Sequence, residues 1–203
     1  VKRLLYRLTN RLPCRIIADD GRPYLERYYL CSIGRTRFYL HRFVGSDPDR
    51  GLHSHPWSWA VSLVLSGWYF EERFSGTETP FLRRVRWLNI LLGESFHRVV
   101  MPKRLIRDEV AKGRATSVEP YLKNFIRWPD ECWTLFIHRQ ADAGRRWGFL
   151  RRQSFRSGFA SSDVTNALIF TPFTYPGGGT SSGEWWKQVP KGRDEPRRKP
   201  IPR

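Results

Sequence analysis

Leu4, Leu5, Leu8 and Leu12 fall close to a 3.6-residue period among Lys2, Arg3, Arg7 and Arg11, which predicts a short basic amphipathic helix over residues 1–12. Beyond it the apolar positions come in short runs with turn residues between them, the pattern of β-strands. Asp19-Asp20-Gly21-Arg22-Pro23 separates a run at 15–18 from one at 24–31. Ser32-Ile33-Gly34-Arg35 leads into 37–44, where Tyr39, His41 and Phe43 share a face if the run is extended. Residues 45–51, Gly-Ser-Asp-Pro-Asp-Arg-Gly, read as a loop. Strand-like runs follow at 53–65, 68–73, 81–91 and 97–101, punctuated by Ser66-Gly67, by 75–80 and by Leu92-Gly93-Glu94.

Residues 102–130 are polar and broken by Pro102, Gly113, Pro120 and Pro129, a long excursion with room for a helical turn. Runs at 132–139 and 147–150 read as further strands. From residue 153 the strand signals thin out. Residues 176–183 are glycine- and serine-rich, and 187–203 form a Pro- and Arg-rich tail, expected to be extended or disordered. Many short strands at this spacing indicate an all-β barrel or sandwich. The organisation expected is a helical segment at 1–12, one barrel at 13–152 and a basic tail at 153–203, with no internal repeat.

Composition narrows the class. Forty per cent apolar residues with 9 Trp and 13 Phe in 203 residues is globular rather than disordered. No run reaches the ~18 apolar residues of a membrane span. Residues 1–7 lack the continuous apolar core of a secretory signal. Cys14, Cys31 and Cys132 are odd in number and widely spaced, as reduced thiols of a cytoplasmic protein would be, and nothing beside them activates a catalytic thiol. The net charge of +17 suits nucleic acid, an anionic substrate or simply a solvated surface, and no basic stripe chooses among these.

The chemistry concentrates in Gly51-Leu52-His53-Ser54-His55-Pro56-Trp57. On a strand, His53 and His55 project to the same side, giving half of a metal site. His97, from the run at 97–101, is the candidate third ligand. In phase with the pair, Trp57 and Trp59 are expected to wall a cavity. Arg42, Arg84, Arg86 and Arg98 are candidates to clamp a substrate anion, Arg98 taken as the catalytic one although the sequence does not choose among them. His41 and His138, in other strands, are supporting residues or replacements for His97.

The spacing resembles the first motif of the cupin superfamily, the RmlC-like jelly rolls, in which a glycine, His-x-His, a glutamate and a closing glycine follow at set intervals. His53, His55 and Gly67 match it. Asp47 stands at the leading glycine, and the glutamate position falls on Trp59 or Ala60, neither a metal ligand. Gly93 and His97 fit the second motif loosely, with Leu92 where proline is expected and Met101 where asparagine is. The His-x-His-Pro-Trp core, Trp133-Thr134-Leu135-Phe136 and Trp147-Gly148-Phe149 also look like small bacterial and phage cupins of unsettled function, over roughly residues 24–150.

The resemblance implies a single jelly-roll barrel holding one divalent transition metal. Three histidines without the glutamate leave the ion its full charge and open positions, which within the superfamily looks most like the thiol dioxygenases and implies Fe(II); nickel, zinc, manganese and copper are the other candidates. Glu71 or Glu72 could return as a ligand, although charged pairs just past a turn usually face water. The reading is therefore a metal-dependent oxidoreductase, dioxygenase-like, taking a small anionic substrate and O2. Its alternatives are a metal- or ligand-binding module without turnover, a nucleic-acid-associated cupin, and a metal-free epimerase using histidine as base. The 24–31 strand, with Tyr28 and Tyr29, is a candidate edge for a homodimer, and Trp185-Trp186 is expected to pin the tail to the barrel or a partner, with stacking on single-stranded nucleic acid as the alternative.

Overall fold

The computed structural model describes residues 1–74, 76, 80–103, 128–142, 144–156, 164–174 and 183–201. The helical turn expected within 102–130 and the glycine-rich stretch at 176–183 fall largely or wholly outside the described residues. Helix α1 (Lys2–Thr9) opens the chain. The strands are β1 (Cys14–Asp19), β2 (Arg22–Ile33), β3 (Thr36–Phe43), β4 (Leu52–His53), β5 (Trp59–Ser66) and β6 (Tyr69–Phe74). They continue as β7 (Phe81–Val85), β8 (Leu88–Leu92), β9 (Phe96–Val100), β10 (Cys132–Arg139), β11 (Gly148–Arg156) and β12 (Val164–Pro172).

They form two antiparallel sheets, the all-β arrangement expected. Sheet I runs β1-β2-β3-β10-β5-β8 and sheet II runs β12-β11-β4-β9-β6-β7. The core lies between them. Leu25, Phe43, Val64 and Cys132 of sheet I meet Tyr69, Val85 and Val99 of sheet II. No described helix is long and apolar enough to cross a membrane.

Three boundaries differ from the sequence reading, each for a local reason. The run at 53–65 is two strands: β4 belongs to sheet II and β5 to sheet I, and residues 54–58 carry the chain across. The run at 81–91 likewise divides at Arg86-Trp87 into β7 of sheet II and β8 of sheet I, without a glycine or proline to mark the change. The candidate dimer edge at 24–31 is interior, because β2 pairs with β1 on one side and β3 on the other.

The segment after residue 153 is also more ordered than the tail expected. It supplies β12, which pairs along β11, and a 3-10 turn at Trp185–Lys187. Trp185 is buried against Tyr39, and Trp186 stacks on Tyr29 with centroids 4.2 Å apart, so the tryptophan pair docks on sheet I. Further on, Cys14 N donates to Pro190 O and Gly192 N to Leu12 O. Helix α1 forms as expected but packs through Leu5, Tyr6 and Thr9, while Leu4 and Leu8 stay exposed.

On the outer side of sheet I, under α1 and residues 195–200, lies a buried charged cluster. Arg42 donates to Glu131 Oε2 at 2.6 Å, to both Glu26 oxygens at 3.2 Å, and to the carbonyls of Lys199 and Pro200. Arg198 reaches Tyr28 Oη, Thr9 Oγ1 and Asn10 Oδ1, with its guanidinium 3.6 Å from the centre of the Tyr6 ring. Arg42, offered as a cavity arginine, is therefore a structural residue facing away from the cavity.

Two glycines hold the site region by close approach. Gly51 (φ +99°) and Gly67 (φ +83°) sit where a Cβ would lie 2.5 Å from the carbonyls of Leu150 and Glu131 respectively. Any side chain there would force the backbones apart.

Candidate metal centre

His53 is the last residue of β4, a strand of two residues set between β9 and β11. It lies opposite His97 on one side and Phe149 on the other. His55 lies in the crossing segment, so the two rings meet through a bend of the chain, not by strand alternation. Ser54 fixes that bend: its N–H donates to Gly148 O at 3.0 Å and its hydroxyl accepts from Gly148 N at 3.2 Å. The His55 ring stacks on Trp57 at 4.1 Å between centroids, nearly parallel.

The ring nitrogens of His53, His55 and His97 all lie within 4.8 Å of one another, and His55 Nε2 is 2.9 Å from His97 Nε2. Two cis ligands with bonds of about 2.1 Å stand roughly 3 Å apart, so this pair already has the separation of metal ligands. Burial, with His97 and Arg50, pushes His53 well below its ordinary pKa; burial, with His53 and His97, does the same to His55. Both are thus neutral at pH 7, the form a metal needs. Three imidazoles without a carboxylate fit a divalent transition metal.

The residue behind His97 is Glu71. Fully buried, its Oε1 stands 2.9 Å from His97 Nδ1, off the line of a hydrogen bond. Asn89 Nδ2 donates to the same oxygen at 2.8 Å, and Arg83 Nε to Oε2 at 2.6 Å. Burial raises the Glu71 pKa, but His97, Asn89 and Arg73 outweigh it and bring it down to about 2. A carboxylate there favours the proton on His97 Nδ1 and leaves Nε2 for the metal. Glu71 is thus a positioning residue outside the three-histidine cluster. Its phase with buried Tyr69 was the available signal, obscured because its neutralising partners come from β7 and β8.

Asp47, at the motif's leading glycine position, also acts on His97. Its Oδ2 accepts from Val99 N at 2.7 Å, while Ser46 Oγ accepts from Met101 N at 2.8 Å, pinning β9 two residues past the ligand.

The cluster opens on a cavity of about 430 Å3 lined by all five histidines of the chain. Trp57 lines it as expected. Trp59 does not: the break at 54–58 takes it out of phase with the histidines, and it pairs with Leu92 at the start of β5. Arg98 does not line it either, since its guanidinium is committed to Glu72 at 2.5 Å and to Asp49. Glu72 therefore holds an arginine, not a metal.

Among the described residues the cavity's arginines are Arg15, Arg27, Arg37 and Arg50, and Asp47 is its single carboxylate. Arg27 lies in phase with Leu25 and Tyr29 on β2, the signal that could have found it, and donates through Nε to His41 Nε2 at 3.1 Å. His41, expected as a supporting residue or a replacement for His97, lies outside the metal trio and accepts as a neutral ring, its pKa lowered by burial and then by Arg27. His138 stacks on Tyr39 and Trp57, and its Nδ1 donates to Arg139 O at 2.6 Å. Trp185 also lines the cavity, so the C-terminal segment supplies part of the wall.

Two predictions follow from these contacts. Glu71→Gln keeps the shape but removes the charge behind His97, so metal affinity is expected to fall about 10–100-fold at unchanged circular dichroism, read by competition with a chromophoric chelator. The second concerns pH. Burial, with Arg27 and Arg37, lowers His138 from an ordinary 6.5 to about 4. Below 6.5 the unfolded chain binds the proton that the fold refuses. This contribution is therefore full above 6.5 and is lost as pH falls toward 4, roughly 3 kcal/mol for this ring. Urea unfolding of metal-free protein across that window should show the slope, and His138→Phe should make it shallower, the remainder coming from His41, His53 and His55.

No known protein family and no curated protein matches the sequence. Among solved structures, the chain is similar to hydroxypropylphosphonic acid epoxidase from S. wedmorenis, with 10% identity, a TM-score of 0.39, and coverage of 64% of this chain and 57% of that one. It is similar to AerE from Microcystis aeruginosa at 13% identity and a TM-score of 0.39, covering 72% of this chain and 57% of that one. A structure of the DMSP lyases RdDddP and RnDddQII aligns at 12% identity and a TM-score of 0.42, covering 69% and 63%. The chain thus spans less than two thirds of the length of each.

Proposed function

We propose that this chain is a metal-dependent enzyme of the cupin type, holding one divalent transition metal, Fe(II) first, through His53, His55 and His97, and acting with O2 on a small organic anion. The observation that carries the reading is the convergence of three buried or half-buried imidazoles, without a carboxylate ligand, on a cavity with four arginines. A bound ion of this kind supplies Lewis acidity and open positions for substrate and oxygen.

The chain's own groups complete the site. Arg27, steadied by His41, and the three other arginines against one Asp47 favour an anionic group in the cavity. A cavity of about 430 Å3 suits a small molecule. Trp57, Phe149 and Trp185 present apolar walls that keep water from it. Glu71, 2.9 Å behind His97 Nδ1, favours the tautomer that leaves Nε2 toward the ion.

The test starts from protein purified without a metal-affinity tag and reconstituted anaerobically with Fe(II). Expected are near-stoichiometric iron, a high-spin nitrosyl signal on adding nitric oxide, and oxygen uptake with members of a panel of small carboxylates, thiols and phosphorylated acids. Failure to bind any divalent metal would sink the reading. Tight metal binding with no oxygen uptake across the panel would replace the oxygenase by a binding module.

A further inference from the structure

The outer face of sheet I is covered over only part of its width. Helix α1 and the C-terminal segment lie over β2, β3 and β10, where Leu40, Trp133 and Leu135 pack. Over β5 and β8 the face is open. Leu63, Leu88, Ile90 and Leu92 are 41%, 51%, 53% and 62% exposed, and Trp87, at the turn into β8, is 73% exposed. β8 pairs in unbroken register with β5, setting Leu63 beside Leu88, and Val61 beside Ile90, on a flat surface.

With side chains of roughly 200 Å2 each, Leu63, Leu88, Ile90 and Leu92 leave about 400 Å2 of apolar surface, and partly exposed Trp59 and Val61, paired with Leu92 and Ile90, add to it. Two such faces together approach about 1,000 Å2, the lower bound of a specific interface. The strand edge itself is not the contact, because Arg73 already donates to the carbonyl of Ile90 at 2.9 Å.

The occupant is indicated by symmetry. The outward positions of β8 are Leu88, Ile90 and Leu92, with Arg86 in the bend before the strand and Glu94 in the turn after it, so its two ends carry opposite charges. Arg86 and Glu94 are both exposed, and neither has an ion-pair partner among the described residues. A two-fold axis in the plane of the face, crossing the strands at Ile90, lays a second β8 antiparallel over the first. Leu88 then meets Leu92, Ile90 meets Ile90, and each Arg86 faces a Glu94. A self-complementary pattern is what an isologous contact requires. We propose that the β5–β8 face of sheet I joins two copies of this chain face to face about that axis. The contact is independent of any metal.

Sedimentation velocity over a concentration series of the full chain tests it. A concentration-dependent dimer is expected. Ile90→Lys, at an exposed site, places two like charges on the axis and should weaken the dimer at least about 100-fold with circular dichroism unchanged. Arg86→Glu and Glu94→Arg should each weaken it about tenfold, and the double swap should restore it. Three results would overturn the proposal: a monomer at every concentration, a dimer indifferent to Ile90→Lys, or charge reversals whose effects add instead of cancelling.

Discussion

Replacing His53 and His55 together by alanine is expected to abolish stoichiometric metal binding while leaving the fold intact. Four-ligand zinc sites are worth about 10–16 kcal/mol, so each ligand carries roughly 3 kcal/mol, or at least about 100-fold in affinity. Losing two of three therefore weakens binding by about four orders of magnitude. The fold should survive because both rings line the cavity and each substitution removes a desolvated polar group, which offsets the stack that His55 gives up on Trp57. Elemental analysis and circular dichroism of the double variant check both halves. Metal retained in full would mean that other groups hold it.

The second large effect is on stability and lies on the opposite face of sheet I. Arg42→Ala would leave Glu26 and Glu131 buried at 0% and 2% exposure without their shared cation. Breaking a buried pair by removing one partner typically costs about 3–5 kcal/mol, because the remaining charges cannot be solvated. Arg42 also holds the carbonyls of Lys199 and Pro200, so the variant should free the C-terminal segment from α1. Urea unfolding reads the first consequence, and faster proteolysis after residue 190 reads the second. A triple variant, Arg42→Met with Glu26→Gln and Glu131→Gln, should recover much of the loss, since it removes the charges together.

The strands and the three histidines were legible because they rest on local chemistry. β10 has the expected ends, since alternation and turn residues bound it on both sides. His53, His55 and His97 were legible from spacing, but the reason given for the pair was not the one the fold uses. Alternation would have carried Trp59 into the cavity; the bend at Ser54–Pro56 brings Trp57 in and leaves Trp59 out. Glu71, Arg27 and the Arg42 cluster were illegible for a different reason. A charged side chain on a strand reads as solvent-facing unless its partners are known, and here those partners lie on other strands or beyond residue 190. Arg98 was offered for its place near the expected barrel mouth, yet it follows His97 in β9 and adjacent strand residues face opposite ways, so it points away from the cavity.

The two-residue strand β4 has a consequence for the order of events in folding. Its neighbours are residues 97 and 149, so the ligand set comes together only after loops of about 44 and 96 residues have closed. Such closures are slow because their entropy is lost before any contact repays it, and topologies dominated by them fold on the order of milliseconds to seconds. No hairpin formed early contains more than one side of the site. An ion therefore meets a finished fold: it acts as a brake on unfolding, not as a template for folding.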